Sequence, residues 1–262
     1  MCSSMSFTLP LAATRFIGDA RLSPDEVGES PCDVYRFTRG NDRYFLKISS
    51  AVLAPTTYSV VREAQVLQWL SGRLNVPEVV QAGANGGGAY MITRAVPGEP
   101  LTARVDAGRP VRGLFAEALR QLRAVPAADC PFQAGAAFRL RELEYLLAND
   151  LCDRNYDLEP WPDLSTPEDL LERLRATLPS EDPVFSHGDL GDSNVFVDAR
   201  EQLHFIDMGR AGLADRWMDV AFIHRNLREE VSLPEAAAFL DALGEPDEPA
   251  KREFFEMLDE LF

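Results

Sequence analysis

Residues 184–210 read VFSHGDLGDSNVFVDAREQLHFIDMGR, and this stretch decides how the chain is organised. Three polar side chains stand out in it: Asp189, Asn194 and Asp207. Four residues lie between Asp189 and Asn194, and the apolar run VFV follows at 195–197. A second apolar run, LHFI at 203–206, carries the chain to Asp207, two positions before Gly209. Short apolar runs bounded by turn-forming residues read as strands. The layout is therefore a loop, a strand, a turn and a strand that ends on a carboxylate. An Asp and an Asn at this spacing, taken alone, also describe a polar hairpin loop; the compound string is far more specific.

Phosphoryl transfer from a nucleotide requires one carboxylate to orient the attacking hydroxyl, and an amide and a second carboxylate to hold the ions that neutralise the phosphates. Asp189, Asn194 and Asp207 are the residue types for those roles. Their spacing matches the protein-kinase pattern of Asp, four residues and Asn, followed downstream by Asp-x-Gly. Here HGD stands where protein kinases have HRD, and DMG where they have DFG. SHGDLGDSN, FIDMGRAGLADRW and the closing LDELF resemble the aminoglycoside phosphotransferases, specifically the branch that phosphorylates the 3'-hydroxyl. The resemblance runs through most of the chain. It implies an α+β, two-lobed protein-kinase-like fold: a small amino-terminal lobe with an antiparallel sheet and one helix over 1–95, and a larger, mostly helical lobe over 96–262 with a helical insert at about 138–180.

Composition bounds the reading from outside. With 262 residues and 46% hydrophobic content, the chain can bury a sizeable core. No apolar run approaches the ~20 residues that span a bilayer, and the first residues lack the basic start and long apolar core of a secretory signal. Cys at position 2 excludes N-myristoylation. Cys2, Cys32, Cys130 and Cys152 form no CxxC pair and no zinc spacing with a histidine; reduced thiols in a cytoplasm are the simplest account. The formal charge of -16 and pI of 4.6 argue against nucleic acid or an anionic membrane as partner. A polycationic small molecule would be attracted, although an acidic surface also serves solubility. A monomer or weak dimer is expected.

In chain order, DVYRFTR at 33–39 and RYFLKIS at 43–49 alternate as half-buried strands around the turn residues Gly40, Asn41 and Asp42. Tyr44, Leu46 and Ile48 share one face, and Phe45 and Lys47 the other. A strand lysine by itself reads as solvated. The resemblance implies that Lys47 holds the α- and β-phosphates of ATP while Phe45 stacks on the base. The stretch 56–74 has apolar Val60, Val61, Ala64, Leu67 and Leu70 at helical period and carries Glu63 early. Glu63 reads either as a solvated helix-face carboxylate or as the partner that aims Lys47 at the phosphates. SPDEVGESPCDVY at 23–35 contains no GxGxxG; the resemblance implies phosphate contacts from Ser30 and neighbouring N–H groups. Residues 78–95 predict two more strands around ANGGG, and VPGEP at 96–100 breaks the pattern. The resemblance implies that backbone between Thr93 and Ala95 bonds the nucleotide base.

Beyond that break the chain turns helical. Leu114, Phe115, Ala118, Leu119 and Leu122 recur at helical spacing, as do Leu140, Leu143 and Leu147. STPEDLLERLRATLP starts with a Ser/Thr cap and Pro167 in its first turn. NDLCDRNYDLEPWPD at 149–163 is too polar for core; by resemblance it forms one wall of the aminoglycoside site, with Asp153, Asp157 and Glu159 facing ammonium groups. Residues 215–230 predict a helix, and the resemblance implies that its Asp219 bonds back to the loop carrying Asp189. Glu229 and Glu230 fall at its end, where carboxylates oppose the helix dipole, and the resemblance assigns that place to substrate. It assigns the same to Glu260 and the carboxylate of Phe262. Asp189 would orient or deprotonate the hydroxyl, Asn194 and Asp207 would hold Mg2+, and Lys47 and Arg210 would neutralise phosphate charge. Within the same fold, a kinase of choline, a macrolide or another sugar stays open, as does a degenerate nucleotide-binding module.

Overall fold

The computed structural model of the chain describes residues 7–25, 31–153 and 156–262. It contains two compact units, Met1–Gly98 with Phe196–Arg210, and Glu99–Val195 with Ala211–Phe262. Among the described residues no helix is long and apolar enough to cross a membrane.

The first unit opens with α1 (Leu11–Ile17), a short helix that the sequence reading did not separate from its surroundings. Five strands follow: β1 (Ser23–Pro24), β2 (Asp33–Arg39), β3 (Asp42–Ser50), β4 (Val79–Asn85) and β5 (Gly88–Arg94). They form one antiparallel sheet in the order β1-β2-β3-β5-β4. The β2–β3 turn uses Gly40 at φ +62°, in the left-handed region that glycine occupies without steric cost. Period-two alternation sends Tyr44, Leu46 and Ile48 into a core with Phe37, Tyr90, Ile92 and the α1 residues Ala13 and Ile17. Phe16 of α1 meets Tyr44 edge-on, with ring centres 5.2 Å apart, so α1 exists because it covers this aromatic face. On β4 and β5 packs α2 (Val60–Leu70), burying Val60, Ala64, Val66, Leu67 and Leu70.

The second unit runs through β6 (Glu99–Pro100), α3 (Leu101–Asp106), α4 (Arg112–Arg123), α5 (Ala136–Ala148), α6 (Pro167–Ala176) and β7 (Pro183–Ser186). The Thr166 hydroxyl accepts from the Asp169 N–H at 3.1 Å while Asp169 accepts from the Thr166 N–H at 3.0 Å, with Pro167 inside the first turn. That reciprocal cap is the start signal the sequence carries at 165–169. After the hairpin of β8 (Val195–Val197) and β9 (Leu203–Phe205), β10 (Gly212–Asp215) pairs antiparallel with β7. Then come α7 (Met218–Asn226), α8 (Leu233–Leu243) and α9 (Pro249–Asp259). The helix expected over 215–230 is shorter: it ends at Asn226 and widens into a π-helical turn over Leu227–Val231. In α5 the buried stripe is Leu140, Leu143 and Leu146, with Leu147 only half-buried, and Arg139 and Glu142 share it.

One boundary differs from expectation. Position in the chain predicts residues 196–210 for the second lobe, yet they group with the first. The reason is hydrogen bonding: Phe205 N–H donates to the Asn75 carbonyl at 2.9 Å, and Asn75 Nδ2 donates to the Leu203 carbonyl at 3.0 Å. Arg62 Nε donates to the Gly209 carbonyl at 2.8 Å. Gly209 is itself required, because a Cβ there would stand 2.6 Å from the Thr57 carbonyl oxygen. Gly209→Ala is expected to push this turn off the backbone at Thr57 and to destabilise the protein by about 1–3 kcal/mol, the usual cost of overpacking. A thermal unfolding midpoint unchanged from wild type would contradict that close approach.

Candidate active site

In the first unit three distant segments meet at one amine. Lys47 is brought to the sheet face opposite the aromatic core by the alternation of β3. Its Nζ donates to Glu63 Oε2 at 2.9 Å and to Asp207 Oδ1 at 2.7 Å. Glu63, in the first turn of α2, is buried. Asp207 follows β9 with φ +54°, a left-handed conformation that aspartate tolerates better than most residues. Burial alone would lower the Lys47 pKa, but Asp207 and then Glu63 overcome it and hold the amine above its ordinary range. Burial in turn pushes the Glu63 carboxyl up, with Lys47 opposing. The two carboxylates thus favour the charged form of the amine.

Around it, Phe45 lies across from Thr93 and Lys47 across from Met91 in the β3–β5 register, so Phe45 and Thr93 share the face of Lys47. The Ala95 N–H donates to the Arg43 carbonyl at 3.0 Å. A base reading that donor would have to share or exchange this bond. Arg210 Nη2 donates to the Tyr58 hydroxyl at 3.0 Å, an anchor in its own unit that sequence reasoning did not foresee. Ser30 lies outside the described residues. A cavity of about 540 Å³ is lined by the end of α2, residues 94–97 and His204; it includes Ala95 but none of Lys47, Glu63 and Asp207.

In the second unit the loop that carries Asp189 is held by a buried carboxylate. The backbone N–H groups of His187 and Gly188 each donate to one oxygen of Asp219 at 2.9 Å, in a buried setting. His187 contributes its backbone N–H to this anchor. Asn194 Nδ2 donates to the Asp189 carbonyl at 2.9 Å and to Asp189 Oδ2 at 3.2 Å. The loop is also tied to α7, since Asn226 Nδ2 donates to Asp192 Oδ1 at 3.0 Å.

Asp189 opens onto a pocket of about 460 Å³ that collects Asp157, Glu229, Glu256 and Glu260 as well. Five carboxylates there face two guanidinium groups, Arg225 and Arg228, and both are already paired. Arg225 bonds Asp259, and Arg228 bonds Glu256 at 3.0 Å and Glu229 at 2.9 Å. Burial pushes the Glu260 carboxyl upward despite the hydrogen bond it accepts from the Asp157 N–H. Glu256 goes the other way: against burial, the His224 bond and Arg228 hold its carboxyl below the usual range. The pocket can take a molecule carrying several ammonium groups.

The predicted acidic wall is therefore brought together only in part. Asp157, Glu229 and Glu260 line the pocket, while Asp153, Glu159, Glu230 and Phe262 do not. The Asp153 N–H donates to the Leu261 carbonyl at 3.3 Å and the Glu159 N–H to Asp157 Oδ1 at 2.8 Å, so these two residues shape the loop through their backbone. Glu230 is exposed on the π-helical turn. The Phe262 ring lies against the Arg139 guanidinium. Glu256, Arg225 and Arg228 were missed. Helical spacing offered the available signal: Glu256 and Glu260 are four apart and so share a face.

For Mg2+, Asn194 and Asp207 each offer carbonyl or carboxylate oxygen. Among the described residues no cluster of three or more His, Cys, Asp or Glu could hold a metal ion.

A family model described as the phosphotransferase enzyme family matches residues 22–255. The chain is 41% identical over 257 residues to an aminoglycoside 3'-phosphotransferase of Acinetobacter baumannii, covering 97% of this chain and 99% of that protein. It is 35% identical over 255 residues to one of Enterococcus faecalis, covering 95% and 96%. Its structure is similar to the crystal structure of an aminoglycoside 3'-phosphotransferase of type VIII, with a TM-score of 0.81 at 30% identity, covering 96% and 97% of the two chains. The fold is shared with an aminoglycoside phosphotransferase of Streptomyces rimosus in complex with ADP and streptomycin, with a TM-score of 0.78 at 23% identity and 95% of each chain covered.

Asp219→Ala leaves two buried N–H groups without their acceptor, each costing about 1–3 kcal/mol. Chemical denaturation is expected to show a loss of about 3 kcal/mol. A loss below about 0.5 kcal/mol would mean that the loop does not depend on this carboxylate.

Proposed function

This chain belongs to the phosphotransferase enzyme family, and from that premise we propose that it transfers the γ-phosphate of ATP to the 3'-hydroxyl of aminoglycosides such as kanamycin and neomycin, conferring resistance to them. The observation that carries the reading is the acidic pocket at Asp189: a general base at the edge of a carboxylate-lined cavity fits a polyamine alcohol and would repel an anionic one. Choline carries a single cation, and a macrolide is far less charged; neither needs this many carboxylates.

In the proposed reaction Lys47, aimed by Glu63, neutralises the α- and β-phosphates, with Arg210 contributing charge near the transferred group. Phe45 packs against the base, whose edge is read by backbone between Thr93 and Ala95. Asn194 and Asp207 would hold Mg2+, which when bound supplies neutralisation of the phosphate oxygens. Asp189 accepts a hydrogen bond from the 3'-hydroxyl and orients its lone pair toward the γ-phosphorus. As the new P–O bond forms, the bond to the β-bridging oxygen breaks, ADP departs, and the hydroxyl proton passes to Asp189. Asp157, Glu229 and Glu260 pair with substrate ammonium groups, while Asp153, Glu159, Glu230 and Phe262 support the rim. The chain would act in the cytoplasm, where ATP is abundant.

With MgATP and a panel of aminoglycosides, phosphate should appear on the 3'-oxygen of kanamycin by NMR, and a 3'-deoxy analogue should remain unmodified. Asp189→Ala should lower kcat by about 10²–10⁴, as for a lost general base, with the KM for ATP little changed. Wild-type turnover by Asp189→Ala would remove Asp189 from the chemistry.

Proton competition at Glu260 gives a second check. Cation binding requires the carboxylate, and burial has raised its pKa. The KM for kanamycin should therefore begin to climb as pH falls while still above the ordinary glutamate value of about 4.3. Glu260→Gln should raise the KM and flatten that acid limb; an unaltered limb would exclude Glu260 as its source.

A further inference from the structure

The buried stripe of α5 contains two charged residues that the proposed chemistry does not use. The side chains of Arg139 and Glu142 are each 2% exposed, with Nε and Oε2 3.8 Å apart. Withdrawing two such charges from water is costly, and a well-packed apolar pair of similar volume generally gives equal or better stability. Stability alone therefore does not account for them. Arg139 has a specific contact: its guanidinium carbon lies 3.8 Å from the centre of the Phe262 ring, close for a stacked cation and aromatic pair.

Phe262 ends the segment that follows α9, and that segment is bonded to the pocket wall at several points. The Phe262 N–H donates to the Asp259 carbonyl at 3.0 Å, and the Leu261 carbonyl accepts from the Asp153 N–H at 3.3 Å. Glu260 accepts from the Asp157 N–H, and Asp259 pairs with Arg225. Glu260, Asp157 and Arg225 all line the pocket, whereas Arg139 does not. A displacement of the Phe262 ring would be transmitted to three lining groups through these bonds.

We propose that Arg139 is a positioning residue of the acceptor pocket: by seating the Phe262 ring, with Glu142 as counter-charge, it holds Glu260 and the backbone of Asp157 in register to receive the substrate's ammonium groups. This rests on the reading of that pocket as the aminoglycoside site. Arg139 neither touches substrate nor takes part in the chemistry.

The test uses the full chain in two forms. Arg139→Met with Glu142→Gln removes both charges together, so that no carboxylate is stranded, and Phe262→Leu keeps apolar bulk while removing the ring. In both, amide hydrogen exchange at Asp153 and Asp157 should accelerate about ten-fold, and the KM for kanamycin should rise about ten-fold with the KM for MgATP unchanged. Combining the two changes should add little, because both break one linkage. Arg139→Lys, which keeps the charge but loses the flat stacking face, should restore exchange protection only in part. Unchanged exchange at Asp153 and Asp157 would overturn the anchor whatever the enzyme does. Faster exchange with an unchanged kanamycin KM, or equal rises in both KM values, would overturn its role in acceptor binding. Failure of the wild type to phosphorylate any aminoglycoside would instead sink the proposed function, and exchange would still decide whether Arg139 anchors this segment.

Discussion

A lysine amine clasped by two carboxylates is the contact on which the first unit depends. Lys47 comes from a central strand, Glu63 from the first turn of the helix packed on that sheet, and Asp207 from 160 residues further along the chain. An amine in a protein interior tends to give up its proton; one flanked by two acids keeps it. The pairing therefore does two things at once. It sews residues 196–210 to a sheet formed by the amino-terminal part of the chain, and it presents a fixed positive charge beside Phe45 and Thr93. Arg62 on the Gly209 carbonyl and the two bonds at Asn75 reinforce the same seam, so the carboxylate at 207 reaches Lys47 on a braced turn.

The second unit solves a different problem, which is keeping a carboxylate in place at the mouth of a crowded acidic pocket. Like charges repel, and a loop carrying Asp189 beside Glu229, Glu256 and Glu260 would tend to move away. Buried Asp219 resists this by accepting both N–H groups at the start of the loop, and Asn194 restrains Asp189 directly. Arg225 and Arg228 offset part of the excess charge without neutralising it. The remainder is an acidic cavity, in keeping with the overall formal charge of -16.

The widened turn over Leu227–Val231 belongs to the same logic. Two adjacent glutamates at a regular helix end would both oppose the dipole. A π-helical turn changes the direction in which consecutive side chains leave the axis, a departure common at functional positions. Both glutamates are exposed, and of the pair only Glu229 lines the pocket.

Much of this was legible in the sequence, for a definite reason. Local chemistry determined the strand alternation that separates Tyr44, Leu46 and Ile48 from Lys47, the reciprocal cap at Thr166, and the Asp189, Asn194 and Asp207 spacing, because each is governed by residues a few positions apart. The partnership of Glu63 with Lys47 could be inferred only by resemblance, and Asp219 likewise. What tertiary structure alone decided are the choices between near-equivalent groups: Glu229 over Glu230, Asp157 over Asp153 and Glu159, Glu256 as an unforeseen lining acid, and Arg139 buried beneath Phe262. Those choices depend on how separate helices pack and on which N–H groups need an acceptor once water is excluded. No periodicity within a single segment encodes that information, since the deciding neighbour stands a hundred residues away, as Glu260 does from Asp157.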